Sequence, residues 1–170
     1  RIGMAIAHAL AERQVHVAGS YRSPVREARD TVEATEAFGV RALAVKADLS
    51  RPTEITRLIT RVARRFGRLD ILINSAATFD RTPFRSLSEA HWDHAMQTNL
   101  TGPFLCSLQA SRLMRRRSGG TIINFADWAG VRPYRNYLPY CVSKAGLLGL
   151  TKALAVELAP TIHVNAIAPG

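Results

Sequence analysis

The chain has 170 residues, 47% of them hydrophobic, which suits one soluble domain with a substantial core. Its 23 Lys and Arg outnumber 13 Asp and Glu, a formal charge of +10, yet the basic residues are scattered along helical patterns as a solvated surface. There is no zinc-ligand spacing and no basic stripe interleaved with aromatics, so the sequence argues against a nucleic-acid partner. No apolar run approaches the ~18 residues of a membrane span, and no signal peptide is expected. The two isolated cysteines, Cys106 and Cys141, form no disulfide framework, which makes a reducing cytoplasm the expected location.

Helix and strand patterns then alternate along the chain. RIGMAIAHALAERQ reads as a helix already under way, with Ile2, Ile6, Ala9 and Leu10 on one apolar stripe. A short strand follows, VHVAG (15–19). Ser23–Pro24 reads as an N-cap with proline at the first helical position, opening a polar helix to about Phe38. RALAVKAD (41–48) is the next strand, and a helix runs from Pro52 to Phe66. LDILINSAA (69–77) is a buried strand that passes into a loop. One long helix is expected from Ser88 to Arg117, with Trp92, Met96, Leu100, Phe104, Leu108 and Met114 inward. TIINF (121–125) is a strand, 131–139 a loop rich in Pro and Tyr, and Tyr140 to Leu158 a helix. HVNAIA (163–168) is the last strand. The chain opens inside a helical pattern and stops in a loop, so we expect a fragment of a longer protein, cut at both ends.

Near-continuous apolar strands alternating with helices predict βαβ units and a doubly wound parallel sheet. Ligands of such sheets bind beyond the C-terminal ends of the strands. Those ends carry Tyr21–Arg22–Ser23, Asp48, Asn74, Asp127 and Pro169–Gly170. Tyr140 and Lys144 add to them, because residues i and i+4 share a helix face and can point into one site. A nearby ammonium favours the phenolate, so Lys144 is expected to lower the Tyr140 pKa and fit it for acid/base work. Asp127 is the odd choice, since a carboxylate at the end of a buried strand is costly unless paired or put to use.

Y-x-x-x-K alone is weak evidence. Together with RIG, ADLS, LINSAA, TNLTGPF, GTIINFAD and VNAIAPG, in that order and spacing, it resembles the short-chain dehydrogenases/reductases along essentially the whole chain. That resemblance implies a Rossmann-type fold whose first strand and C-terminal lid lie outside these residues. It implies Tyr140 as acid/base, Lys144 as its partner and ribose holder, and Asn99 as anchor of a proton-relay water. Asp48 would bind adenine, with Leu49 beside it. Asn74, Ser75 and Ala76 stand where the family has N-N-A next to the cofactor, and Pro169–Gly170 would begin the loop over the nicotinamide. Asp48 also reads as the cap of a turn before Ser50, and Asn99 as an ordinary polar helix residue.

Three departures stand out. Only Arg1-Ile2-Gly3 remains of the glycine-rich phosphate loop, with Arg1 in place of a glycine. N-N-A-G is Asn74-Ser75-Ala76-Ala77. The position of the family's catalytic serine, thirteen residues before the tyrosine, holds Asp127, which must be protonated or else accept a hydrogen bond from substrate or Tyr140. Arg13 to Arg26 contains no Asp or Glu but offers Tyr21, Arg22 and Ser23, so NADP(H) is the expected cofactor. Arg1, the R-S pair, Asp127 and Phe79 are similar to the pteridine reductases, whose phenylalanine stacks on the pterin; Trp128 could shape a different pocket. The substrate is expected to be a small carbonyl, including 3-oxoacyl groups, or else a pterin-like ring. A non-catalytic NADP(H) sensor is the rival reading, against which Tyr140 and Lys144 both count. The family's usual tetramer implies a homo-oligomer that uses the 88–117 helix.

Overall fold

The structure, a computed structural model, describes residues 2–22 and 25–170; the expected Ser23–Pro24 cap and Arg1 lie outside them. In chain order it holds α1 (Ile2–Ala11), β1 (Val17–Tyr21), α2 (Val25–Glu36), β2 (Ala42–Lys46), α3 (Pro52–Phe66) and β3 (Ile71–Asn74). Then come α4 (Glu89–Met96), α5 (Gly102–Met114), β4 (Gly120–Phe125), α6 (Leu138–Leu158) and β5 (Ile162–Ile167). The α/β alternation is the one expected, and every strand pair is parallel. α3 occupies the expected span because Pro52 suits its first turn and Gly67 closes it in the left-handed region, φ 72°.

The sheet is in two pieces rather than continuous. β1 pairs with β2, while β3, β4 and β5 form a second piece. The resemblance implies a further strand at the centre of the sheet; the described residues hold none, and the middle of β1 (Ala18, Gly19, Ser20) is exposed instead of buried. Register within the larger piece is exact enough to align its C-terminal ends: Asn74 lies opposite Asn124, and Phe125 opposite Ile167. Around it, Ala110 and Met114 of α5 and Leu158 of α6 meet Ile122, Ile162 and Val164. A second cluster joins Ile55 and Ile59 of α3 to Cys106 of α5, where burial pushes the thiol up to about 12.

Two expectations about helix faces are corrected. α1 buries Ala7 and Ala11 rather than Ile2 and Ala9, since the alanine face lets the helix lie close to its neighbours. The long helix is interrupted by a π turn, Gln97–Thr101, between α4 and α5. Its large apolar residues do not all face inward: Trp92, Phe104 and Leu108 are 38%, 39% and 37% exposed. The buried side carries small groups, among them Ala95, Ser107 and Ala110, together with Met114, which does face inward. The reason is close approach. A Cβ on Gly102 would lie 2.6 Å from the Leu49 carbonyl oxygen, so bulk has no place at that turn. Among the described residues no helix is long and apolar enough to cross a membrane.

Candidate active site

The site is built where β3, β4 and β5 end. Beyond β4 the chain turns through Asp127-Trp128-Ala129-Gly130 and is pressed against α6. A Cβ on Gly130 would come within 2.8 Å of the Ala145 backbone nitrogen, so glycine permits the contact. This contact brings Asp127 beside the first turn of α6. The Tyr140 hydroxyl donates to Asp127 Oδ2 at 2.6 Å, while Asp127 Oδ1 accepts from the Ala129 amide at 2.7 Å. Asp127 is therefore both the cap of a short turn and the partner of Tyr140, and its carboxylate accepts on both oxygens.

Lys144 lies one helical turn on from Tyr140, 3% exposed, and donates from Nζ to the Phe125 carbonyl at 2.6 Å. The ammonium is 5.7 Å from the Tyr140 ring centroid. Burial lowers the Lys144 pKa, because a desolvated ammonium is disfavoured, and the Asp127 charge opposes that. Tyr140 departs from expectation: its pKa is raised, not lowered. Burial of the phenol is the main cause, and its hydrogen bond to the Asp127 carboxylate acts in the same direction. The Lys144 ammonium is spent on a backbone carbonyl and does not reverse this.

Asn99, on the π turn, is fully buried. Its Oδ1 accepts from the Thr78 amide at 2.8 Å, and its Nδ2 donates to the Thr78 carbonyl and the Ser143 hydroxyl, each at 3.0 Å. It thus clamps the loop after β3 to α6, one residue from Lys144. Asn74 is the hub of a second buried network. It donates to Ser107 Oγ at 3.2 Å and Asn124 Oδ1 at 2.8 Å, and Asn124 donates on to Thr151 Oγ1 at 2.9 Å. Such a chain rigidifies the strand ends provided its polar groups are paired, as these are.

Phe79 also comes to Tyr140. Its ring meets the tyrosine edge-on, centroids 4.6 Å apart, and stacks on Tyr137 at 4.4 Å and 9°. Trp128 is half exposed, and its amide donates to the Pro169 carbonyl at 2.9 Å, placing the Pro169–Gly170 segment beside the same turn. The other cluster lies at the ends of β1 and β2. There the Ser50 hydroxyl and amide bond Asp48 Oδ1 at 2.7 and 3.0 Å. They hold the Asp48 carboxyl below its ordinary range against the effect of burial, with Arg22 and Arg51 adding to the shift. The turn-cap reading of Asp48 is thus realised. Ser23 and Arg1 lie outside the described residues; Gly3 stands beside Ser75, whose Oγ is 3.7 Å from where a Cβ would be.

Sequence reading did not single out Tyr137, Ser143 or Thr78. Tyr137 stands three residues before Tyr140 in the Tyr-rich loop, a signal that was available; Ser143 and Thr78 bear none, since their roles come from contact with Asn99.

A parallel α/β sheet with a Tyr–Lys pair and a polar partner at its strand ends defines an oxidoreductase of the nucleotide-binding type. The short chain dehydrogenase family profile matches residues 1–170, and the chain belongs to that family. Over 170 residues it is 38% identical to a 3-oxoacyl-(acyl-carrier-protein) reductase of Staphylococcus aureus, covering 99% of this chain and 69% of that protein. Acetoin dehydrogenase from Enterobacter cloacae superposes with a TM-score of 0.95 at 38% identity, over 99% of this chain and 68% of the other. A xylitol dehydrogenase solved with NAD+ bound superposes at 0.93 with 31% identity, over 99% and 65%.

Proposed function

We propose that residues 1–170 form one dinucleotide-binding unit of an NADP(H)-dependent oxidoreductase acting on a small carbonyl or alcohol, a 3-oxoacyl group or another ketone. The observation that carries this reading is the 2.6 Å bond from Tyr140 to Asp127, with Lys144 on the next turn of the same helix. The cofactor, when bound, supplies or accepts the hydride. The residues present suit it. Gly3 lies beside Ser75, and a Cβ there would meet only the Ser75 hydroxyl, which leaves room for a phosphate next to both. Arg22 is exposed at the end of β1 and near enough to Asp48 to bias its charge, a position from which a guanidinium can hold a 2′-phosphate. Asn74, Ser75, Ala76, Asp48, Leu49 and Lys144 are its other proposed contacts.

In reduction, Tyr140 gives its proton to the substrate oxygen as the hydride arrives. Burial and the Asp127 carboxylate raise its pKa and hold the proton on the phenol until it is given up. The bond to Asp127 opens as the hydroxyl turns its proton to the substrate, and Lys144, held on the Phe125 carbonyl, keeps a cation near the phenolate left behind. Asn99 holds the Thr78 loop and Ser143, and through them the position of Lys144. A pterin ring is the second reading, favoured by the exposed Phe79 ring beside an aspartate–tyrosine pair. A sensor has no need of the Tyr140–Asp127 bond. The outward apolar ridge of Trp92, Phe104 and Leu108 supports a homo-oligomer, with a tetramer as the expected state.

The test is a panel of 3-oxoacyl thioesters, short ketones and a dihydropterin, each offered with NADPH and with NADH. Ketone reduction favouring NADPH supports the proposal. Equal efficiency with NADH overturns the cofactor assignment, and reduction of the pterin alone selects the second reading.

A further inference from the structure

The basic residues, scattered along the sequence, are gathered in the fold. Residues 52–70 and 102–119 hold nine arginines against two carboxylates, Glu54 and Asp70. Both carboxylates are already taken, Glu54 by Arg51 and Arg57 and Asp70 by Arg68. Between the last turns of α3 and α5 lies an open groove of about 400 Å³. Ile59, Ala63 and Leu113 give it an apolar floor, with Arg64 on one wall and Arg112 and Arg116 on the other. Gln109 donates to the Thr56 hydroxyl at 3.0 Å and ties the two helices together at one end.

No carboxylate lines this groove. None of its three guanidiniums has a hydrogen-bond or ion-pair partner among the described residues. A cation near a helix C-terminus is favoured by the helix dipole. That accounts for each arginine singly, but not for the uncovered apolar floor between them. The lining also selects among occupants. A second copy of this chain would bring the same guanidiniums against these. Single-stranded nucleic acid stacks on aromatic rings, and none lines the groove. A duplex offers phosphates but no apolar face for the floor. Arg112 and Arg116 stand four residues apart at the end of α5, so carboxylates at the same spacing on a facing helix can meet both.

We propose that the groove between α3 and α5 docks an acidic amphipathic helix of another protein. Its apolar side chains lie on Ile59, Ala63 and Leu113, and its carboxylates pair with Arg64, Arg112 and Arg116. The docking face is independent of the hydride-transfer reading. α3 and α5 end where the chain turns toward the starts of β3 and β4, whereas Asp127 lies beyond the C-terminal end of β4.

The probe is a fluorescein-labelled peptide of about 14 residues with leucines on one helical stripe and glutamates flanking it. It is titrated with the whole chain and followed by anisotropy. A scrambled peptide of the same composition, polyglutamate of the same length and a short DNA duplex are run beside it. The amphipathic peptide should bind with a Kd on the order of 10 μM at low salt. Arg112→Glu with Arg116→Glu should weaken it at least tenfold and leave Tm unchanged, since neither guanidinium has a partner to lose. Arg26→Glu with Arg29→Glu makes the same change of net charge on α2 and should alter binding less than twofold. Absence of binding by the amphipathic peptide overturns the proposal. Equal binding of the scrambled peptide or of polyglutamate overturns it too, because the apolar floor then plays no part. Tighter binding of the duplex would make the groove a phosphate site instead, and undiminished binding in the Arg112/Arg116 variant would place docking elsewhere. If that variant does not fold, Arg112→Gln with Arg116→Gln decides by the same criterion.

Discussion

The two ends of the candidate site are held in different ways. Around Tyr140, side chains tie separate elements together: Asp127 to Tyr140, Lys144 to the β4 backbone, Asn99 to the Thr78 backbone and Ser143, Asn74 to Ser107 and Asn124. At the ends of β1 and β2, Arg22 is exposed and, among the described residues, Asp48 hydrogen-bonds only within its own turn and to Glu54, whose carboxylate takes the Asp48 amide at 2.8 Å. The first region has the rigidity that proton transfer needs, since reacting groups must be held to within a fraction of an ångström. The second has donors that can close on a charged ligand after it arrives. Preorganisation is thus concentrated where a bond would be made, and adaptability where a phosphate would be read.

Substitutions can break this contrast. The largest effect is expected from Tyr140→Phe, which removes the proton donor and leaves the ring. Turnover should fall by about 10²–10⁴-fold with NADPH affinity kept; an active variant would remove Tyr140 from the chemistry. Next, Asn74→Ala should lower stability by about 1–3 kcal/mol in denaturant unfolding, because Asn124 and Ser107 lose a buried partner. No loss would mean that the network is not what steadies the strand ends. At the looser end, Arg22→Glu should leave Tm unchanged and reduce kcat/KM for NADPH by about 10–100-fold relative to NADH, as a charge-assisted contact becomes a repulsion. A preserved NADPH preference would place phosphate recognition elsewhere.

Asp127→Asn gives the finest test. The carboxylate is one of the causes that raise Tyr140, so its neutralisation must lower that pKa. In the direction of alcohol oxidation, where the phenolate is the base, activity should then rise at a lower pH than in the wild type. An unchanged or upward-shifted profile would show that burial alone sets the phenol.

Much of this was legible in the sequence where local chemistry decides. Pro52 and Gly67 bracket α3, the Tyr140–Lys144 spacing puts both on one helix face, and the apolar runs at 71–74 and 120–125 are strands in parallel register. The failures have a common cause. Trp92, Phe104 and Leu108 repeat at helical spacing, and periodicity marks an apolar face without saying what it packs against. Here close approach at Gly102 leaves no room for bulk, Met114 alone of the large residues expected inward is fully buried, and the π turn shifts the register between α4 and α5.

Asp127 shows where the division falls. Its place thirteen residues before Tyr140, at the end of a strand, is a property of the sequence and sufficed to mark it for the site. Whether it donates or accepts was not, because protonation depends on neighbours that are distant in the chain. The Ala129 amide and the Tyr140 hydroxyl both donate to it, and burial of the phenol together with that second bond raises Tyr140 where the Lys144 spacing alone had argued for lowering it. Spacing along a helix settles which groups can meet; the direction of a proton is decided by desolvation and by which partner each charge has already taken.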